Sequence, residues 1–472
     1  MTARSPRSQA TGLTLIAALG GLLFGYDTAV ISGAIGSIDL NFIDPLQLSE
    51  TARSSLSGFT ISSALFGCVI GGAGAGWLAD RYGRKRTLVF AALMFLICSI
   101  GSAVPELGLG TIGGMGAGAL LPFNLYRIIG GIGVGVASLV SPLYIAEIAP
   151  KHSRGKLVSL YQMAIVVGIV GVYFINWAIA GLGNSEWLHR VGWRWMFASE
   201  ALPSMLFLAL LLGAPDTPRW LVMQRRDTEA LALLHRLGSE ADPGATLAEI
   251  RASLVVSQER LFAYGALVVV VGILLSVFQQ LVGINAVLYY APLMFQNMGS
   301  STDSALLQTV IVGLANMVFT LVATFKVDSW GRRPLMLWGA LIMAASMLTL
   351  GTLFASGHMG LAALVAMIVY IAGFSLSWGP VVWILLSEIF PNAIKARAMA
   401  IAVAAQWIAN LAVSWSFKVL DGNSLLNAAF NHGFAYWIYG AMSLLAALFV
   451  WRYVPETKGR SLEQMQHLWR KA

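Results

Sequence analysis

Charged residues are scarce in this chain, and their scarcity excludes the commonest class of protein. Asp, Glu, Lys and Arg make up 11% of the 472 residues, whereas hydrophobic residues make up 57%. A soluble domain devotes about a quarter of its residues to charge. The chain therefore has too few charges to be mainly a water-soluble protein, and we expect most of it to lie in a lipid bilayer.

The sequence also lacks the marks of catalysis, nucleotide hydrolysis and metal binding. Its two cysteines, Cys68 and Cys98, fall inside apolar segments, so no external disulfide framework is expected. No phosphate-binding loop of the Walker type, no Cys/His cluster and no Gly-x-Ser-x-Gly turn occurs. The longest polar stretch, 215–260, is too short for an ATPase domain. We expect neither an enzyme nor a metal nor a cofactor.

What the chain does have is apolar segments long enough to cross a membrane as helices, which takes about 20 residues. A polytopic all-α membrane protein is predicted. The Gly-rich stretch 108–118 either extends the third segment or forms a loop. The predicted segments are 12–35, 56–79, 87–104, 121–146, 157–181, 195–214, 263–291, 305–326, 334–355, 361–387, 398–420 and 434–453.

The basic residues orient these segments. Most of the 30 Lys and Arg fall at the two termini and in every second connection, and basic connections stay on the cytoplasmic side. Both termini are therefore expected in the cytoplasm. This topology explains the net charge of +8 without a nucleic-acid partner. The first segment is too long for a signal-peptide core, so it is expected to remain as a helix.

Three short motifs occur twice, in the same order, half a chain apart. The pairs are Asp80–Arg86 (DRYGRKR) with Asp328–Pro334 (DSWGRRP), Glu147–Pro150 (EIAP) with Glu388–Pro391 (EIFP), and Pro215–Thr217 (PDT) with Pro455–Thr457 (PET). A parallel repeat of apolar bundles is typical of a carrier whose halves move about a central site. We predict a first half at 1–214, linker helices at 215–260, a second half at 261–455 and a cytoplasmic tail at 456–472.

Over essentially its whole length the chain resembles the sugar porters of the major facilitator superfamily. The run from Ser377 to Glu463 is especially similar to bacterial D-xylose–proton symporters. The resemblance implies two six-helix halves that alternately expose a sugar site. It rests on GYD at 25–27, DRYGRKR at 80–86, RIIGGIGVG at 127–135, YIAEIAP at 144–150, PDTPRWL at 215–221, QQLVGIN at 279–285, WGP at 378–380, SEIFP at 387–391 and VPETKG at 454–459.

Asp27 is the most informative single residue, because it lies in an otherwise uncharged membrane segment. An ionisable side chain costs several kcal/mol there unless it is paired or hydrated. Arg127 lies at a similar depth, and since arginine keeps its charge, Asp27 is the partner that can gain and lose a proton. In the resembling symporters these positions form the proton-coupling pair, and Glu200 matches a second coupling carboxylate. The alternatives are a purely structural ion pair and, for Glu200, a solvated helix end.

The sugar site is expected to be uncharged, polar and aromatic, since amides both donate and accept hydrogen bonds. Gly283 permits a break in the seventh segment, and Gly379–Pro380 breaks the tenth. The alternatives are amides that only join helices and a Trp407 that only packs. By resemblance, the sugar-binding residues are Gln162, Gln279, Gln280, Asn285, Trp378 and Gln406, with Tyr289, Asn316 and Trp407 lining the pocket.

The duplicated basic motifs predict a cytoplasmic latch. Arg84 and Arg332 can reach the duplicated carboxylates Glu147 and Glu388, and guanidinium–carboxylate pairs are directional. Such pairs can hold the inner side closed while the site faces outward. The alternative is that these charges only fix the orientation of the helices.

The expected function is symport of a monosaccharide with a proton across the bacterial inner membrane, by a monomer in the lipid bilayer. D-xylose is the first choice of substrate. Ile169 argues against this choice. Close xylose symporters carry Gln at this position, whereas facilitators that prefer glucose tend to have an aliphatic residue there. D-glucose or another hexose, an uncoupled facilitator and a non-transporting sugar sensor are the alternatives.

Overall fold

Every regular element is helical in the computed structural model, which describes residues 6–150, 154–237, 242–254, 260–391 and 394–458. Twelve helical segments are long and apolar enough to cross a membrane, which confirms the predicted all-α membrane fold. We number them as spans 1 to 12: Gln9–Gly33, Glu50–Tyr82, Arg84–Ala103, Gly116–Ile148, Lys156–Ala180, Ser185–Gly213, Ala266–Asn297, Thr302–Val327, Arg332–Ala355, Leu361–Ile389, Arg397–Asp421 and Phe434–Tyr453.

Spans 7 and 10 are interrupted where the glycine-containing motifs lie. Span 7 consists of the helices Ala266–Leu281 and Ile284–Asn297, with Gly283 between them at φ +92°. A side chain is strained at that φ, and a Cβ there would also lie 2.5 Å from the ring of Tyr439. Span 10 consists of Leu361–Leu376 and Trp378–Ile389, and it breaks at Ser377. Both breaks leave backbone groups of the protein interior available for binding.

Span 6 begins earlier than the sequence predicted, at Ser185 rather than at residue 195. It contains the segments Ser185–Trp187, Leu188–Gly192, Trp193–Ala198 and Ala201–Gly213. Its polar first turns, which include Glu186, His189, Arg190 and Arg194, concealed the early start. Arg194 is mostly buried and pairs with the buried Glu106 at 2.7 Å. The Gly-rich stretch 108–118 does not extend span 3. It forms turns and the short 3₁₀ helix Gly116–Ala119.

Short helices connect the spans. Ile35–Ile38, Asp39–Ile43 and Asp44–Leu46 follow span 1, and Ser424–Phe430 lies between spans 11 and 12. Between spans 6 and 7 the described residues form Pro218–Met223, Asp227–Leu237 and Pro243–Leu254. Of the predicted tail at 456–472, only the first three residues lie within the described part of the chain.

Each set of six spans packs mainly on itself. In the first set, span 2 packs on span 4 and span 1 on span 5, while in the second, span 9 packs on span 12 and span 7 on span 11. Glycine allows the closest approach, since a Cβ on Gly131 of span 4 would lie 1.7 Å from the carbonyl oxygen of Ala64 in span 2. The two sets meet where span 2 contacts span 11 and span 5 contacts span 8.

Polar contacts between the two sets cluster at the end of the bundle opposite the start of span 1, which we call the far end. The ion pair of Lys418 with Asp39 spans 3.2 Å, and both side chains are only 10% exposed. Within the first set, the Ser57 hydroxyl donates to the same Asp39 carboxylate at 2.5 Å and fixes its position. Nearby, the indole N–H of Trp415 donates to the carbonyl of Ser55 at 2.9 Å. These contacts hold the far end closed.

Replacing Lys418 with Met is predicted to open the far end, because it leaves the Asp39 carboxylate buried without its charge partner. Removing one member of a buried pair costs about 3 kcal/mol or more. Spin labels on cysteines introduced at the exposed positions Thr51 and Leu425 would report the opening as a longer distance in pulsed electron paramagnetic resonance. The two natural cysteines are buried, which favours selective labelling.

The exchange of both charges, Asp39→Lys with Lys418→Asp, is expected to restore the short distance. Arg53→Met is the matched control, because Arg53 pairs with Asp44 at the same end but within one set of spans and in solvent. An unchanged distance in Lys418→Met would show that this ion pair does not hold the far end closed.

Candidate functional site

A buried ion pair lies in the interior of the first six spans. Arg127 Nη1 of span 4 donates to Asp27 Oδ1 of span 1 at 2.7 Å, and Arg127 Nη2 donates to the backbone carbonyl of Asp27 at 2.9 Å. The two side chains are 1% and 0% exposed. The guanidinium also lies 5.5 Å from the ring centre of Phe197. The pair therefore ties span 1 to span 4 through both side chain and backbone.

Two further ionisable side chains adjoin this pair. The Cys98 thiol of span 3 donates to Asp27 Oδ1 at 3.3 Å. One oxygen of Asp27, the Cys98 sulfur and one oxygen of Glu200 lie within 4.8 Å of one another. The sequence pattern gave no reason to place Cys98 here, since the thiol and Asp27 are far apart in the chain. Arg127 already neutralises one of the two carboxylates, which leaves little negative charge at the cluster to attract a metal ion.

Glu200 is fully buried, so the alternative of a solvated helix end is wrong. The early start of span 6 explains the difference, because it adds ten residues of helix between Glu200 and that end of the span. Both carboxylate oxygens of Glu200, and Oδ2 of Asp27, find no hydrogen-bond partner among the described residues.

The amides predicted in the second half form one hydrogen-bonded network beside the break in span 7. Gln279 is its centre: Gln406 donates to its Oε1 at 2.7 Å and Gln280 at 3.3 Å. The amide of Asn285 donates to Gln280 Oε1 at 2.6 Å, across the break at Gly283. Gln406 Oε1 is left without a partner in the described structure although it is buried. That acceptor is available to a hydroxyl of a ligand.

The break in span 10 joins the same network. Gln279 Nε2 donates to the carbonyl oxygens of Trp378 and Gly379, at 2.8 and 3.3 Å. The Trp378 ring is fully buried, and its N–H donates to the carbonyl of Met336 at 3.0 Å. These bonds lock the ring and the network in one arrangement.

The other predicted pocket residues are Asn316, Trp407, Tyr289 and Gln162. Asn316 of span 8 is buried and accepts a hydrogen bond from Ser375 at 2.7 Å, a partner that the sequence did not indicate. Trp407 packs against Phe24 of span 1, with ring centres 5.6 Å apart. Tyr289 is 4% exposed. Gln162, on span 5, is half-buried, and the structure shows it outside the amide network of the second half.

The duplicated motifs form two matching clusters at the end where span 1 begins, which we call the near end. Arg84 pairs with Glu147 at 3.0 Å, and Arg332 pairs with Glu388 at 3.0 Å. Each carboxylate also accepts a bond from the threonine of the third motif, at 2.5 Å from Thr217 in the first cluster and 2.5 Å from Thr457 in the second. Each of these pairs joins helices within one set of six spans.

A second acidic residue completes each cluster. Asp216 accepts the backbone N–H of Arg84 at 3.0 Å, and Glu456 accepts that of Arg332 at 3.1 Å. Burial raises the pKa of the Asp216 carboxyl, and the hydrogen bonds from backbone N–H groups oppose that rise. The carboxylates thereby cap the first turns of spans 3 and 9, where negative charge is favourable.

Comparison with known proteins extends over almost the whole chain. A family profile described as "Sugar (and other) transporter" matches residues 13–469. The D-xylose-proton symporter of Escherichia coli (strain K12) is 52% identical over 97% of this chain and 95% of that protein. The glucose facilitated diffusion protein of Zymomonas mobilis is 48% identical over 100% of this chain and 99% of that protein.

A solved structure supports the same relationship. The xylose transporter XylE from E. coli, in a partially occluded inward-open conformation, superimposes with a TM-score of 0.88 at 50% identity, covering 96% of this chain and 100% of that chain. Sequence and helical architecture therefore agree from end to end. This chain belongs to the sugar transporter family of the major facilitator superfamily, and it is a membrane transporter, not an enzyme.

Proposed function

We propose that this protein carries D-xylose together with a proton across the bacterial inner membrane. The observation that carries the proposal is the buried Asp27–Arg127 pair, since a facilitator that carries sugar alone has no need of a titratable charge inside the bilayer. The relative that is 52% identical is named as a D-xylose-proton symporter. The chain is proposed to act as a monomer in the lipid bilayer.

The near end is proposed to face the cytoplasm. Most of the basic residues lie at this end, as the positive-inside rule requires. Both termini and the linker helices then lie inside. The proposed organisation keeps the division into halves at 1–214 and 261–455, linked by 215–260 and followed by a tail at 456–472.

With this orientation the structure corresponds to an inward-facing state, because the far-end contacts keep the outer side closed. The likeness to the inward-open XylE structure supports this assignment. The near-end pairs Arg84–Glu147 and Arg332–Glu388 brace helix ends within each half, so that each half moves as a unit. Their proposed role as a latch belongs to the outward-facing state, in which the near ends of the two halves meet.

Coupling is proposed to run through span 1. Protonation neutralises Asp27, which removes its attraction for Arg127 and frees the end of span 1 beyond it. That end, Ile31–Gly33, contacts the second helix of span 7, which carries Asn285 and Tyr289. The protonation state of Asp27 therefore affects the position of the second helix of span 7, which closes the sugar site. Glu200 is proposed to exchange this proton with Asp27.

Asp27→Asn is predicted to abolish accumulation of sugar while leaving sugar exchange largely intact. Asparagine resembles the protonated carboxyl in shape but carries no exchangeable charge. Uptake of labelled xylose into proteoliposomes under an imposed pH gradient measures the first property, and equilibrium counterflow measures the second.

The control for this variant is Asp303→Asn, which neutralises an exposed carboxylate in the first turn of span 8. It is expected to accumulate sugar like the unmodified protein. If Asp27→Asn still concentrated xylose in response to the pH gradient, Asp27 would not be the coupling residue.

The sugar is proposed to bind against the amide network. Gln279, Gln280, Asn285 and Gln406 supply hydrogen-bond groups for hydroxyls, and Trp378 supplies an aromatic face. Tyr289, Asn316 and Trp407 line the pocket, and Gln162 contributes from the first half. The break in span 7 matters to this site, because Asn285 and Gln280 are connected across it and move with its two helices.

Gln406→Ala is predicted to weaken xylose binding by about 1–3 kcal/mol, since a sugar hydroxyl would lose its buried acceptor. Isothermal titration calorimetry on detergent-solubilised protein measures the loss. Gln308→Ala is the matched control, because that amide lies at the start of span 8 and bonds to Ser300 and Ser304. Equal affinity in the two variants would place the sugar elsewhere in the bundle.

A glucose transporter is the second candidate, and Ile169 is the observation that favours it. Ile169 is 7% exposed on span 5, on the same helix face as Gln162. Its backbone lies against Gly25, two residues before Asp27. A relative named as a glucose facilitated diffusion protein is 48% identical. An aliphatic side chain here removes one polar group from the pocket.

Ile169→Gln is predicted to shift preference toward xylose over glucose by about 1–3 kcal/mol. A glutamine amide hydrogen-bonds only to hydroxyls that lie in the right place, so it discriminates between sugars more strongly than an aliphatic side chain does. Competition of both sugars against labelled xylose, before and after the substitution, measures the shift. Transport of glucose but not xylose by the unmodified protein would make the glucose assignment correct. An unchanged ratio would remove position 169 from the specificity site.

A further inference from the structure

Buried polar atoms without partners recur through the interior of the first half. Besides Glu200 and Asp27 Oδ2, the hydroxyls of Ser204, Ser141 and Thr14 find no hydrogen-bond partner within the part of the chain that the structure describes. All five side chains are 0% exposed. Nearly all buried polar groups in proteins bond to another group or to an ordered water. The first half contains other unpartnered buried atoms as well, on Arg, Asn and Trp side chains, but these five groups are its carboxylates and hydroxyls, the groups that can pass a proton.

Other buried hydroxyls of the same half show what the ordinary arrangement is. Ser62 donates to the carbonyl of Gly58 at 2.7 Å, Ser63 to that of Thr60 at 2.8 Å, and Ser99 to that of Leu96 at 2.9 Å. Each of these hydroxyls donates its hydrogen bond to a backbone carbonyl of its own helix. Ser204, Ser141 and Thr14 are helical as well, yet their hydroxyls make no such bond within the described structure.

The unpartnered groups are ordered in depth, from the ion pair toward the near end. Ser204 lies one helical turn beyond Glu200 on span 6. A Cβ on Gly20 of span 1 would lie 2.3 Å from the Ser141 hydroxyl and 3.3 Å from the ring of Phe207, so these three lie at one level. Gly20 is about 10 Å along span 1 from Asp27, and Thr14 is about 9 Å further, at about 1.5 Å per residue.

We infer that Glu200, Ser204, Ser141 and Thr14, bridged by water, form a path by which the proton on Asp27 leaves toward the near end, apart from the sugar site. This inference rests on the proposed proton coupling. The proton passes from the Asp27 carboxyl to the Glu200 carboxylate. Each hydroxyl or water then accepts one proton on its oxygen and gives up another to the next oxygen, so no bond to carbon changes and no redox partner is needed.

The charges around the start of this path favour the transfer. Arg127 of span 4 faces Asp27, and its guanidinium stabilises whichever of the two carboxylates is ionised. The Cys98 thiol of span 3 donates to Asp27 Oδ1, on the oxygen that also binds Arg127. Asp27 Oδ2 is therefore the oxygen left to carry the proton, and it is the unpartnered one.

The test measures sugar-driven proton entry and sugar exchange in one preparation of proteoliposomes that contain a pH-sensitive dye. The double variant Ser204→Ala with Ser141→Ala is expected to slow proton entry about tenfold or more, the scale of a lost proton-transfer group. Equilibrium exchange of xylose is expected to stay unchanged. The control is Ser62→Ala with Ser99→Ala, which removes two buried hydroxyls that bond within their own helices.

Single variants at Ser204 and Thr14 distinguish loss of the hydroxyl from loss of packing volume. They decide the outcome if the double variant loses xylose exchange as well. Ser204→Thr keeps the hydroxyl and is expected to retain proton entry. Ser204→Val has the shape of threonine without the hydroxyl and is expected to lose proton entry. Thr14→Val is expected to lose it for the same reason. Equal proton entry in Ser204→Thr and Ser204→Val would overturn the path and leave the sugar site as the exit. Absence of sugar-driven proton entry in the unmodified protein would instead overturn the proton coupling itself.

Discussion

A charge in the middle of a membrane bundle must be compensated, and the structure of the first half follows from how Asp27 and Arg127 meet this requirement. Neither side chain reaches water, so each depends on the other. Their approach also needs space: a Cβ on Gly130 would lie 2.4 Å from the Cys98 sulfur and 3.2 Å from Asp27 Oδ1. The glycines of span 4 therefore allow the helices to close around a pair that any larger residue would disrupt.

The two halves repeat one architecture but divide the chemistry between them. Their near-end clusters match group for group, down to the threonine and the acidic residue that complete each one. Their interiors differ, since the first half holds the Asp27–Arg127 ion pair and Glu200, whereas the second holds the linked amides of Gln279, Gln280, Asn285 and Gln406. A proton needs titratable groups, whereas a sugar needs groups that donate and accept together. The duplicated scaffold is therefore kept at the near ends and has diverged in the interiors, where the two proposed ligand sites lie.

Sequence patterns predicted those features whose cause is local or repeated. The apolar segments, the breaks at Gly283 and beside Gly379, and the pairing of duplicated arginines with duplicated carboxylates all follow from short-range composition. The pairing of Asp39 with Lys418 could not be predicted, because neither residue has a motif and their closeness arises only when the two halves pack. The burial of Glu200 could not be decided from the sequence, because the polar residues before residue 195, Arg194 among them, made the start of span 6 look later than it is. That arginine is instead neutralised by Glu106 from a loop of another span.

Span 1 connects the buried ion pair with the proposed sugar site by direct contact. It carries Asp27, and its last turn touches the second helix of span 7, whose first turn carries Asn285. From Asn285, hydrogen bonds between side-chain amides lead through Gln280 and Gln279 to Gln406. Gln279 also donates to the carbonyl groups at the break in span 10. The ion pair is thus linked to the proposed sugar site through one helix contact and a series of hydrogen bonds. Both helix breaks, in spans 7 and 10, belong to this series of hydrogen bonds. A small shift of span 1 can therefore move one part of an interrupted span, while the packed remainder of each half stays intact.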